Sequence, residues 1–154
     1  MPSPLGQEEA QTTSGPPDLE KTVSALLVKL GTWTEHDDQE LPRIGYGFKP
    51  GMTGLELYTS ARAWWRLDIK RVQRYPYAVA VHAGVTLAAW EIDPAGWRSW
   101  TEPTVGSGAM RWAFTGAPAT NLAGASLVGR RVPRHRPDGR ATFGSGNPIA
   151  YWPR

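Results

Sequence analysis

Residues 77–82 read YAVAVH, residues 83–84 read AG, and residues 85–92 read VTLAAWEI. The first and third runs are rich in β-branched and aromatic residues and are long enough for strands. The glycine dipeptide between them supplies a tight turn, so the stretch predicts a β-hairpin. Working outward, Val23–Leu30 (VSALLVKL) is apolar and bounded by Gly31, and reads as a first buried strand. Met110–Thr115 (MRWAFT) and Asn147–Trp152 (NPIAYW) read as further strands.

Between the first strand and the hairpin, Thr53–Leu67 reads as a helix. Thr53 with Glu56 three residues on forms a capping box, and Leu57, Ala61 and Trp64 or Trp65 recur at helical spacing. Thr32–Pro50 is polar and glycine-containing and reads as a long loop. Asp68–Arg74 is a basic link. Asp93–Ala109 is rich in Pro, Gly and Ser and reads as a loop that carries Trp97 and Trp100. Ala119–Leu127 holds a helical turn, Leu127–Val132 a strand or tight turn, and Pro133–Gly146 a basic loop. One helix against five or six strands predicts an α+β domain, a small open or partly closed barrel with the helix packed on it. Residues 1–20 are poor in large apolar side chains and read as a disordered tail, leaving 21–154 as the single domain.

The charge is divided along the chain. Residues 1–60 carry four Lys/Arg against nine Asp/Glu, whereas residues 61–154 carry thirteen against five. The basic part also holds seven of the eight tryptophans, all but Trp33. Flat indole faces among guanidinium groups suit a polyanion that itself presents flat rings, so the expected partner is nucleic acid. Two adjacent residues in a helix point about 100° apart. One of Trp64 and Trp65 is therefore expected in the core and the other at a groove. Trp97 and Trp100 are expected to cap a core or wall a pocket.

Candidate phosphate ligands are Arg62, Arg66, Arg111, Arg130, Arg131 and Arg134, since arginine meets phosphate bidentately and stays charged. Arg136 and Arg140 extend the second of these clusters, and Gly139, Gly144 and Gly146 let backbone approach a phosphate. Lys70, Arg71 and Arg74 form a weaker third patch. Asn147 orders the last strand or meets a base edge.

No nucleophile elbow, phosphate-binding loop or zinc-deaminase signature occurs. There is no cysteine, and His36, His82 and His135 follow no ligand spacing, so no metal and no cofactor are expected. Asp37–Asp38 and Glu91/Asp93 are the only carboxylate pairs weighed for a metal-dependent enzyme, and they read better as loop and strand-end residues. No apolar run is long enough to cross a membrane and no signal peptide is apparent. The expectation is a cytoplasmic protein that is not an enzyme, of open oligomeric state.

The strings YTSARAWWRL, YAVAVHAGVTLAAWEID, RWAFTG, LVGRRVP and NPIAYW, in that order over about residues 24–152, resemble the PUA-like superfamily. The layout is most similar to its YTH and EVE domains. The resemblance implies a pseudobarrel that reads a modified base flipped into an aromatic cage, here Trp64 or Trp65 with Trp97 or Trp100. For a bacterial stand-alone domain it implies a reader of modified duplex DNA, with 5-methylcytosine as the base. RNA of the same fold class is the alternative partner. A nucleotide-acting enzyme and a protein-interaction module are the more distant alternatives.

Overall fold

A computed structural model describes residues 15–36, 41, 43–101 and 110–154. Its centre is a mixed five-stranded sheet of order β8-β5-β4-β1-β9. These strands are β1 (Ala25–Lys29), β4 (Tyr77–His82), β5 (Val85–Ile92), β8 (Gly116–Pro118) and β9 (Ile149–Trp152). β1 and β4 run parallel, with Ala25 opposite Tyr77, and every other neighbouring pair is antiparallel. The chain is thus α+β, and the sheet has two edges, β8 and β9.

The predicted hairpin is β4–β5. Its turn places both Ala83 (φ 51) and Gly84 (φ 79) in the left-handed region, the pairing that matches strand twist in a two-residue loop. A register shift at Ala80/Val81 bulges β5. Gly116 is needed where β8 meets β5, because a Cβ there would stand 2.5 Å from the Glu91 carbonyl oxygen.

The parallel β1–β4 pair requires a crossover. It contains β2 (Thr34–Glu35) and β3 (Gly45–Tyr46), then α1 (Gly54–Ala61) and α2 (Ile69–Val72). The predicted loop over 32–50 therefore carries a short hairpin. Thr53 caps α1 with the full reciprocal box: Glu56 N–H donates to its hydroxyl, and its own N–H donates to Glu56 Oε1. The helix stops at Ala61 rather than running to Leu67. Arg43 closes its end by donating from Nη1 to the carbonyls of Thr59 and Ala63, and Ser60 Oγ exchanges hydrogen bonds with the Gly47 backbone.

Both faces of the sheet are covered, and the period-2 alternation assigns each residue a side. Leu26, Val28, Ala78, Ala80, Trp90, Ile92 and Ile149 face α1, α2 and Phe114, forming the front core. Ala25, Leu27, Tyr77, Val79, Val81, Ala150 and Trp152 form the back core with Leu19, Leu127 and Val132. α3 (Leu122–Ala125) lies in the approach to Leu127.

The predicted loop after β5 also contains a strand. β6 (Arg98–Thr101) pairs antiparallel with β7 (Met110–Ala113), with Trp100 opposite Arg111. At the N-terminal side, the packed chain begins before residue 21. Leu19 N–H donates to the Arg131 carbonyl, Arg131 N–H donates to the Pro17 carbonyl, and Leu19 is buried. Residues 1–14 of the expected tail lie outside the described residues. Among the described residues no helix is long and apolar enough to cross a membrane.

Candidate nucleic-acid interface

The chain leaving α1 does not stay helical because it is recruited as a strand. Trp65 N–H donates to the Trp112 carbonyl and Trp112 N–H returns the bond, both at 2.9 Å, while Phe114 N–H donates to the Arg62 carbonyl. Residues 62–66 thus extend the β6–β7 ribbon by one antiparallel line. Tryptophans 64 and 65 consequently point to opposite sides by strand alternation, not by helical rotation. Trp65 packs against the front core and donates from Nε1 to the Ala61 carbonyl at 2.7 Å. Trp64 packs on Ala63, Ala113 and Leu41. The Ala63–Trp64 peptide bond is cis.

Residues Trp64 and Trp65 also line one cleft of about 350 Å³. Its other walls are Arg66, Arg111 from β7, and the stretch 146–149 that leads into β9. Continuing the Trp65–Trp112 register by one residue sets Arg66 opposite Arg111. Like charges directly opposite on neighbouring strands are destabilising. Asn147 accepts the Ile149 N–H through Oδ1, which orders the start of β9 and leaves its amide Nδ2 as a donor at the cleft wall.

Of the two tryptophan pairs from which the cage was expected to draw one member each, Trp64 and Trp100 lie side by side. Trp100 stands beside Trp64, with ring centroids 5.8 Å apart and planes tilted by 36°, and supports that ring without lining the cleft. Trp97 packs edge-on to Phe114 at 6.2 Å and joins the front core. The stretch read as loop thus contains β6, and Trp97 just before it caps the front core.

The six arginines are likewise distributed. Arg66 and Arg111 line the cleft. Arg62 does not line it, donating instead from Nε to the Phe114 carbonyl at 2.9 Å and from Nη2 to Thr115 Oγ1 at 3.1 Å, with its guanidinium over the Tyr58 ring. Burial lowers its pKa from the ordinary arginine value, although guanidinium remains charged. Arg130, Arg131 and Arg134 belong to the segment that Leu127 and Val132 anchor on the back core. Arg131 Nε meets Asp18 at 2.8 Å there. None of the three lines the cleft that Arg66 and Arg111 line.

Residues 146–149 include Gly146 and Asn147, for which the sequence suggested a phosphate approach and a base-edge or strand-ordering role, but not a place beside Trp64 and Trp65. The Asn147–Pro148 dipeptide, a break just before a strand, is the signal that marks them. Of the carboxylate pairs weighed for a metal, Asp37–Asp38 lies outside the described residues. Glu91 accepts from Asn121 Nδ2, and Asp93 accepts from Ala95 N–H. No three His, Asp or Glu side chains gather among the described residues. His82 is half-buried, its Nδ1 at 2.9 Å from the Leu30 carbonyl and its ring against Phe48.

No protein-family profile matches the chain, and neither a curated protein nor a solved structure matches it.

Proposed function

We propose that this chain is a nucleic-acid-binding domain that seats one base in the cleft between Trp64–Trp65 and residues 146–149. The observation that carries the reading is the meeting of two tryptophans with two arginines at one cavity of about 350 Å³. That volume lies at the low end of the 300–1,000 Å³ usual for ligand sites, so it suits a single ring system. Stacking would supply roughly 1–3 kcal/mol. Arg66 and Arg111 would hold the flanking phosphate, and Asn147 Nδ2 would meet the base edge.

The finer reading is a PUA-like reader of duplex DNA that extrudes 5-methylcytosine. The open sheet with α1 on its front face is compatible with such a pseudobarrel. In this reading the cage contracts to Trp64 and Trp65, with Trp100 as a buttress. Extrusion from a duplex costs a few kcal/mol, so an unpaired base should bind more tightly than the same base in a duplex. One buried methyl contributes about 0.8 kcal/mol, near a fourfold preference.

The test is anisotropy at fixed salt with ten-nucleotide DNA strands carrying a central cytosine or 5-methylcytosine, single and duplex, and with RNA of the same sequence. Trp64→Ala and Trp65→Ala should each weaken the single-strand complex by about 5- to 150-fold. Equal affinity for methylated and unmethylated strands removes the modified-base reading. Unchanged affinity in both tryptophan variants removes the cleft.

A further inference from the structure

A second cationic concavity lies beyond the other end of β9. It encloses about 770 Å³ and is lined by Lys21, Arg71, Arg74, Arg136 and Arg140 together with Arg154. Asp138 is its one carboxylate side chain. These cations come from four stretches of the chain: the turn before β1, α2 and its exit, the loop following residue 133, and Arg154 after β9.

The lining is not explained by ion pairing within the fold. Arg136 is the best-held member, donating from Nη1 to the Tyr151 carbonyl at 3.4 Å. Its Nε stands 3.7 Å from Asp138 Oδ1 and is buried without a hydrogen bond. Arg71 spreads its guanidinium over the Tyr151 ring at 4.0 Å. Lys21, Arg74 and Arg140 are exposed and engage no carboxylate among the described residues. Gathering this many cations around one hollow raises self-repulsion, which a bound polyanion relieves.

We infer that this groove holds phosphates of the same strand whose base occupies the cleft. The inference rests on the reading of the cleft as a base seat. β9 is the edge strand that joins the two places: Ile149 lines the cleft and Pro153 lines the groove. Four residue steps at 3.3 Å each make about 13 Å. That equals about four nucleotides at the 3.4 Å rise of one B-form strand, fewer when the strand is extended. Tyr151 lies on the way, its hydroxyl fixed by the Asp68 N–H at 3.0 Å and its ring covered by Arg71. A strand seated in the cleft and following this edge brings its later phosphates over Arg71, Arg74 and Arg140.

The experiment compares a trinucleotide with a decanucleotide single strand across a salt series, using Arg74→Ala/Arg140→Ala and Trp64→Ala. Each phosphate contact contributes about 0.7 to the slope of log K against log salt for single strands. The double variant should lower the decanucleotide slope by about 1.4 and leave the trinucleotide slope unchanged. Trp64→Ala should weaken both oligonucleotides without altering either slope. An unchanged decanucleotide slope in a folded double variant overturns the proposal. So does a double variant that loses only inorganic tripolyphosphate, since the groove then serves a free anion. A slope that falls while Trp64→Ala changes nothing sustains the groove and removes the cleft reading instead.

Discussion

Trp152 in the back core and Trp64 beside the β6–β7 ribbon meet opposite fates. On the back, Trp152 is fully buried and its Nε1–H donates to the Glu20 carbonyl at 2.8 Å. On the front, Trp64 is half-buried, lines a cleft, and keeps a buried Nε1–H with no hydrogen bond among the described residues. An unsatisfied buried donor costs about 1–3 kcal/mol. The back tryptophan is therefore placed as stability alone would place it, and the front one is not. The arginines divide the same way. Arg131 on the back has Asp18 at 2.8 Å, while Arg66 on the front faces Arg111 across a strand pair.

The comparison is broken most directly by truncating the back tryptophan. Trp152→Ala removes a fully buried indole and should cost about 3–5 kcal/mol, read as a lower urea midpoint at unchanged slope. The protein that remains folded should bind oligonucleotide as before. A loss under 1 kcal/mol would mean that the back core does not depend on Trp152.

Trp64→Ala should show the reverse profile. Its stability loss should be smaller than that of Trp152→Ala, because half-burial gives up less transfer free energy and the unpaired N–H disappears with the ring. Its binding loss should reach about 1–3 kcal/mol. Equal stability losses in the two variants would erase the distinction between the faces.

Much of this division is invisible in the sequence, for reasons that attach to particular residues. The β4–β5 hairpin, β1, β9 and the Thr53–Glu56 box were legible because each depends on local chemistry: alternation, a glycine turn, or two side chains three residues apart. The end of α1 was not. Residues 62–66 leave the helix because Trp112 and Phe114, some fifty positions away, offer them a strand partner. Which member of the second tryptophan pair meets Trp64 is likewise set at long range: Trp97 goes to Phe114 and Trp100 to Trp64, and nothing local announces it. The side on which Arg130, Arg131 and Arg134 fall is set by the burial of Leu127 and Val132, not by their own charge. Arg71 and Arg136 appeared in separate basic patches, and only the crossover topology brings them to one groove.

The cap of α1 sharpens the front half of the comparison. Thr53→Ala should cost about 1 kcal/mol, since one orphan N–H of the first turn loses its acceptor. The partner in the box titrates. The Thr53 N–H, and then its hydroxyl, hold the Glu56 carboxyl below its ordinary pKa. A carboxylate lowered on folding gives stability that is complete above the unfolded value and is lost as pH falls through the folded one. Glu56→Gln should therefore flatten the acid side of the stability profile below the ordinary glutamate range and leave neutral-pH oligonucleotide affinity unaltered. An unchanged acid limb would show that the box does not persist in solution.

The smallest effect makes the sharpest division. Arg131 and Asp18 are both more than half exposed, so Arg131→Ala should cost only about 0.2–1 kcal/mol of stability. Arg66 engages no carboxylate among the described residues, so Arg66→Ala should change stability still less. The two should part in binding. Arg66→Ala should reduce the single-strand salt slope by about 0.7, one phosphate contact, whereas Arg131→Ala should leave it alone. The same charge is removed in each case, so net charge cannot account for a difference. If Arg131→Ala lowers the slope as much as Arg66→Ala, the strand reaches the back of the sheet, and the division between a stabilising face and a binding face fails.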